Sequence, residues 1–292
     1  GASYNGYTEK LEVGVIDATA KVATPVYDTG AYAFAAVEGA FVFGSTNLLR
    51  TADQINEGTN MAVRSYGGAF QVGAVHVSRG SKRLAFSDEG AKQRELQTYG
   101  DLVMQVEVGY ASGDADPYDS TQRRFVFDPN HRVGLVLFDE VLRWQTARSA
   151  TAALDPLLTN GNRPTPGADR LPTNGGIAGA QYVNPTAIVR PRPWLDVKAG
   201  ALVAQSTADV VDPYLVATSG SYVSSRRGDP KKRDYGLELD LGFEARLPLD
   251  YGMMFSVGAQ GGVLFPGGAL ADQTGATLKT PWLAVGRAGL VF

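Results

Sequence analysis

The chain has 292 residues, 44% of them hydrophobic, with 35 glycines, no cysteine and a formal net charge of −3. The lack of cysteine excludes disulfide staples and cysteine-based metal sites, and the acidic balance weighs against a nucleic-acid partner. Apolar runs are only a few residues long, as in Gly134-Leu135-Val136-Leu137-Phe138, far below the roughly 20 apolar residues of a membrane helix. A membrane crossing by this chain therefore requires a closed barrel, because in lipid every backbone polar group needs an internal partner.

Period-two alternation predicts nine strands. The segments 11–23, 31–43 and 61–79 alternate weakly, and the first changes face near Val15 and Ile16, which predicts a bulge. In 95–110, Leu102, Met104, Val106, Val108 and Tyr110 oppose Asp101, Gln105 and Glu107. After a weaker segment at 178–190, 194–208 sets Leu195, Val197, Ala199, Ala201 and Val203 against Asp196, Lys198 and Gly200. The clearest case is 235–247. There Tyr235, Leu237, Leu239, Leu241, Phe243, Ala245 and Leu247 alternate with Gly236, Glu238, Asp240, Gly242, Glu244 and Arg246. A strand sends the two sets to opposite faces, whereas a helix would scatter the charges all round. The segments 251–265 and 280–292 repeat the pattern, the latter with Trp282, Ala284, Ala288, Leu290 and Phe292 opposite Leu283, Val285, Arg287 and Gly289.

Short turns at 24–30, 190–194 and 247–252 alternate with long polar connections at 44–60, 111–177, 209–234 and 266–279; 80–93 is long and charged where a short turn is expected. Short turns on one side and long loops on the other form the pattern of outer-membrane barrels. Aromatic residues gather near strand ends (Tyr32, Phe41, Phe43, Tyr110, Trp194, Tyr235, Tyr251, Phe265, Trp282 and Phe292), as interfacial girdles would require. The stretch 133–148 fits a helical stripe of Val136, Phe138, Val141, Leu142 and Gln145 about as well as a strand. A short helix near 135–148, capping or partly plugging a pore from within the long external loop 111–177, is the preferred reading. The prediction is an all-β, antiparallel transmembrane outer-membrane β-barrel forming one domain over 1–292. Single-chain bacterial barrels have even strand numbers, so nine strands predict the C-terminal part of a larger barrel, its remaining strands on another chain or missing, or else one unrecognised strand.

Three sets of residues resemble the alginate-export-like family of outer-membrane barrel porins over the C-terminal two-thirds of the chain. They are Gly109-Tyr-Ala-Ser-Gly-Asp114 with the acidic loop and Arg123-Arg-Phe-Val-Phe-Asp128 after it, Tyr235-Gly-Leu-Glu-Leu-Asp240, and Gly262-Val-Leu-Phe-Pro-Gly-Gly268. The resemblance implies an outer-membrane barrel and a helix in the long loop. The family's known member exports an anionic polysaccharide through an arginine-rich pore. This chain lacks that wealth of arginine, so the substrate is not carried over.

Alternation also nominates the pore lining, because Arg or Lys near the midplane of a lipid-facing surface costs about 2–4 kcal/mol. The candidates are Asp101, Glu107, Asp196, Lys198, Glu238, Asp240, Glu244, Arg246 and Arg287, with Glu12, Asp17, Lys21, Glu38 and Arg64 on the weaker strands. The lining is either a selectivity filter or a salt-bridged filling, and the excess of acids over bases predicts mild cation preference. Asp114, Asp116 and Asp119 form a candidate calcium loop without the glycine and distal glutamate of an EF-hand. The basic loop 225–234 is a candidate contact for lipid headgroups or polysaccharide. Two histidines, His76 and His131, sit in no triad or metal motif, and the chain is not expected to be an enzyme.

The expected function is passive passage of small or polymeric polar solutes through an outer-membrane channel. Lipid and lipopolysaccharide would surround it, with no nucleic acid bound. The alternative is a non-conducting barrel serving as a scaffold or anchor. A barrel enzyme would need serine, histidine and an acid clustered at one rim, and a soluble β-sandwich would pack Leu237, Leu239 and Leu241 on a second sheet.

Overall fold

Alternating side chains become long extended strands because each strand can then present one uniform face to each side. The computed structural model describes residues 10–26, 31–47, 57–76, 102–115, 119–147, 173–192, 194–212, 214–215, 219–249 and 253–291. The strands are β1 (Leu11–Val26), β2 (Ala31–Thr46), β3 (Met61–His76), β4 (Leu102–Ala111), β5 (Thr121–Gln122), β6 (Ala180–Arg192), β7 (Leu195–Ser206), β8 (Asp234–Pro248), β9 (Met254–Pro266) and β10 (Trp282–Val291). Apart from the two-residue β5, which runs parallel to β3, they form one antiparallel meander in chain order from β1 to β10. β1 and β10 are its edges, and no pairing between them is present among the described residues. No helix among the described residues is long and apolar enough to cross a membrane, which says nothing of crossing by strands.

Register carries the alternation across the whole sheet. Gly14 and Ile16 lie beside Phe43 and Phe41, Phe41 beside Tyr66, Val108 beside Val183, Val203 beside Leu237, and Leu237 beside Phe265. These side chains form one bare apolar face on which Leu241 is 63% and Trp282 75% exposed. Phe41 stacks on Phe43 and Tyr66 on Tyr110, each pair with ring centroids 5.7 Å apart. The opposite face carries Asp196, Lys198, Glu238, Asp240 and Glu244, and the long connection folds back onto it.

That connection supplies the main core. Val136, Leu137, Phe138, Leu142 and Ile177 pack on Tyr182, Leu202, Ala204, Tyr235 and Leu264 of the sheet. Full burial of each large apolar side chain stabilises by roughly 1.5–3 kcal/mol. The ambiguous stretch 133–148 is helical over 137–147 and forms no strand among its described residues. A π-turn, Leu137–Leu142, with Val141 N–H donating to Val136 O at 2.9 Å, runs into α1, Arg143–Ala147.

The structure corrects the sequence reading at three points. β1 pairs with β2 without any shift of register, so there is no bulge at Val15; Val13 and Val15 are apolar residues on the otherwise polar face, which imitates a change of face. Tyr235 leaves the bare face because Gly236, at φ +108°, turns the chain between Gln205 and Ala204. Its ring is buried against the inward loop. Register also puts Glu12 and Arg64 on the bare face; both lie near the strand ends, where charge on such a face is cheap. The expected segments 80–93 and 95–101, with Tyr251 and Phe292, lie outside the described residues.

Candidate functional site

The loop-covered face has two ends. Long connections leave the loop end (112–179, 207–233 and 267–281), and short ones leave the turn end (27–30, 193–194 and 249–253), with the long connection 77–101 as the exception there. At the loop end Glu238, fully buried, lies beneath the start of the π-turn. Its carboxylate accepts the N–H groups of Leu135, Val136 and Leu137, the last two at 2.8 Å. Helix starts leave N–H groups unsatisfied, and an anion there satisfies them while facing the positive end of the turn. Gly134 makes the approach possible. Its φ is +73°, and a Cβ there would stand 2.8 Å from Glu238 Oε1.

A second anchor joins the loop to the wall. His131 Nε2 lies 2.7 Å from Tyr182 Oη, which donates to Glu107 Oε1 at 2.6 Å. Phe127 stacks on the His131 ring at 4.8 Å. Asp139, in the π-turn, has its carboxyl held above the usual carboxylate range by burial, although Arg132 at 3.4 Å opposes the shift. Asp240 is the neighbour of Glu238 on this face. Its Oδ1 is buried without a hydrogen-bond partner among the described residues, facing Gly262 beneath Leu135 and Val136.

The turn end carries a ladder of ion pairs. Arg190 donates from Nε and Nη2 to Asp196 at 2.6 and 2.9 Å. Arg246 bridges Asp196 at 2.9 Å and Glu244 at 3.0 Å, and Arg287 donates to the other oxygen of Glu244. Beside the ladder a cavity of about 220 Å³ is lined by Asp196, Lys198, Glu244, Arg246, Arg287 and Ile188, among others.

Of the residues nominated from sequence, Glu107, Asp196, Lys198, Glu238, Asp240, Glu244, Arg246 and Arg287 therefore share one face. They do not share one environment: Glu238 is a buried anchor, Glu107 is engaged by the loop, and the other six stand nearer the turn end or the middle. Asp17, Lys21 and Glu38 join that face by register. Asp101 lies outside the described residues, as does Asp116 of the candidate calcium loop. The remaining two aspartates of that loop are held by Arg123. Asp114, 1% exposed, takes its backbone N–H at 2.9 Å, and Asp119 takes its guanidinium at 2.7 Å. In the basic loop, Arg226 pairs with Asp272 at 3.6 Å and Arg233 with Asp209 at 3.1 Å. Asp272 is pushed below the usual carboxylate range by hydrogen bonds from the Thr274 side chain and backbone.

Arg190, His131 and Tyr182 were not singled out as lining residues. Arg190 reads as part of the Pro-rich turn, although it is in phase with Thr186 and Ile188. His131 has no local motif, because its partners lie 24 and 51 residues away. No family model matches the chain, and no curated protein matches it.

Proposed function

We propose that this chain is the wall of a bacterial outer-membrane β-barrel channel. Small polar solutes would pass through its lumen passively, past a constriction made by the inward loop. The observation that carries this reading is the bare apolar face, continuous over nine strands of 10 to 16 residues, with the charged face opposite it covered by the chain's own loop. Tilted membrane strands need about 9–11 residues, and exposed apolar surface of this extent marks an interaction site. The occupant proposed is outer-membrane lipid and lipopolysaccharide. Connections that, apart from 77–101, are short at one end and long at the other, together with the resemblance to alginate-export-like barrels, support the same reading. Closure requires β1 and β10 to pair with each other or with further strands, including strands of another chain.

Single-channel conductance of the detergent-purified chain in a planar bilayer tests the proposal. Stable current steps are expected, and a folded, inserted protein that passes no current would retire the channel. Leu241→Arg is expected to cost about 2–4 kcal/mol of stability in lipid, which an unaltered urea midpoint would contradict. The non-conducting scaffold remains the second reading. The buried contact of Leu137 and Phe138 with Leu202 and Leu264 favours it, because it fills much of the loop end.

A further inference from the structure

We infer that the loop end of the bare face carries a lipid-phosphate seat, built on Arg64 with Tyr66 and Tyr110, and that its occupant is a phosphate of lipopolysaccharide in the outer leaflet. The inference rests on the reading that the bare face meets lipid, and it names one headgroup contact on that face.

Depth places the seat. The outward row of β3 begins with Arg64 and ends with His76. Between them it carries Tyr66, Phe70 and Val72 and no charged side chain. The two ends are twelve residues apart. At about 3.4 Å per residue and a tilt of about 45°, that distance spans about 29 Å of depth. The hydrocarbon core of a bilayer is about 30 Å thick, so Arg64 stands at one headgroup level when His76 stands at the other. The long connections 47–60 and 112–179 leave the sheet at the Arg64 end. Long loops of outer-membrane barrels face the outside, where lipopolysaccharide presents its phosphates.

Chemistry names the ligand. Arg64 is exposed and makes no salt bridge or hydrogen bond among the described residues. Glu12, two strands away on the same face, is taken by Lys10 at 3.1 Å. Next to Arg64 on this face, Tyr66 stacks on Tyr110 with ring centroids 5.7 Å apart, and their hydroxyls share one hydrogen bond. That bond uses one hydroxyl proton and leaves the other to donate outward. In register beyond Tyr110, Gln181 and Gln205 continue the polar rim, joined by their amides at 3.3 Å. A guanidinium fork binds phosphate oxygens in pairs, and tyrosine favours the level where acyl chains give way to headgroups. Directly below the seat Phe70 and Val72 are 47% and 45% exposed. Phosphate above and acyl chain below is the order in which a membrane lipid presents its parts. A free phosphate ion would satisfy the guanidinium and leave that apolar surface bare.

The test is native mass spectrometry of the full chain, folded in detergent and titrated with lipid A, before and after its phosphates are removed. Saturable binding of the phosphorylated lipid is expected, at least about tenfold tighter than the dephosphorylated one, as a charged hydrogen bond contributes. Arg64→Gln should abolish that difference, Arg64→Lys should keep part of it, and Lys21→Gln, on the opposite face, should leave it unchanged. Arg64→Gln breaks no salt bridge among the described residues, so its melting temperature should match that of the parent chain. Equal binding of the two lipids by the folded chain, or a preference that survives Arg64→Gln, would overturn the inference. Planar-bilayer recordings separate the seat from the channel. Phosphate preference without current retires the channel and keeps the seat; current without that preference does the reverse.

Discussion

The two halves of the loop-covered face use charge in opposite ways. At the loop end a single carboxylate, Glu238, is taken fully out of water and surrounded by three backbone N–H groups. At the turn end, charges pair with one another in a ladder that runs from the largely buried Arg190 and Asp196 to the exposed Arg287. A buried anion with N–H donors fixes one conformation, because removing it leaves those donors unsatisfied. The exposed end of the ladder, at Arg287, is held more loosely than the buried end. The first is a structural clamp, and the second lines a cavity.

Substitutions can break this contrast. Glu238→Ala should have the largest effect, about 3–5 kcal/mol, since it removes a charged acceptor from three buried donors. Urea unfolding would measure it, and a loss under about 1 kcal/mol would remove Glu238 from its anchoring role. Under the channel reading the same variant should also enlarge the conductance steps. Asp196→Asn should cost less, about 2–3 kcal/mol, because Arg190 and Arg246 lose their shared anion but Arg246 keeps Glu244. Its reversal potential should shift toward anions, and a shift toward cations would contradict a place for Asp196 in the conducting path. Gly134→Ala comes next at about 1–2 kcal/mol, from the positive φ and the crowding against Glu238; faster proteolysis within 119–147 would report it. Trp144→Ala should change stability by no more than about 0.5 kcal/mol. Trp144 is 68% exposed, so a larger loss would mean that the helix is covered on its outer side as well.

Strands were legible because alternation is local. Leu237, Leu239 and Leu241 against Glu238 and Asp240 settle both the strand and its two faces without reference to any neighbour. The helix of 137–147 was legible as a stripe, although its single π-turn was not. Tyr235 was misread because one glycine, Gly236, reverses the alternation, and glycine carries no side chain to reveal which way the chain turns. The candidate site was legible only in part. Glu238 and Glu244 have the same phase in the same strand, yet one is an anchor and the other belongs to the ladder. What distinguishes them is a loop that begins about a hundred residues earlier in the chain and returns over one of them.

The sequence by itself determined the extended, two-faced strands, the general alternation of short and long connections, and most of the residues that share the charged face, Glu12 and Arg64 excepted. These follow from period-two side-chain geometry and need only neighbours along the chain. Tertiary structure decided where the loop lies, which carboxylate it buries, and which cations and acids pair along the turn end. Those outcomes depend on side chains far apart in sequence meeting across β6, β7, β8 and β10. Burial and ion pairing are set by that meeting, because a charge's surroundings belong to the folded chain and not to the segment that carries it.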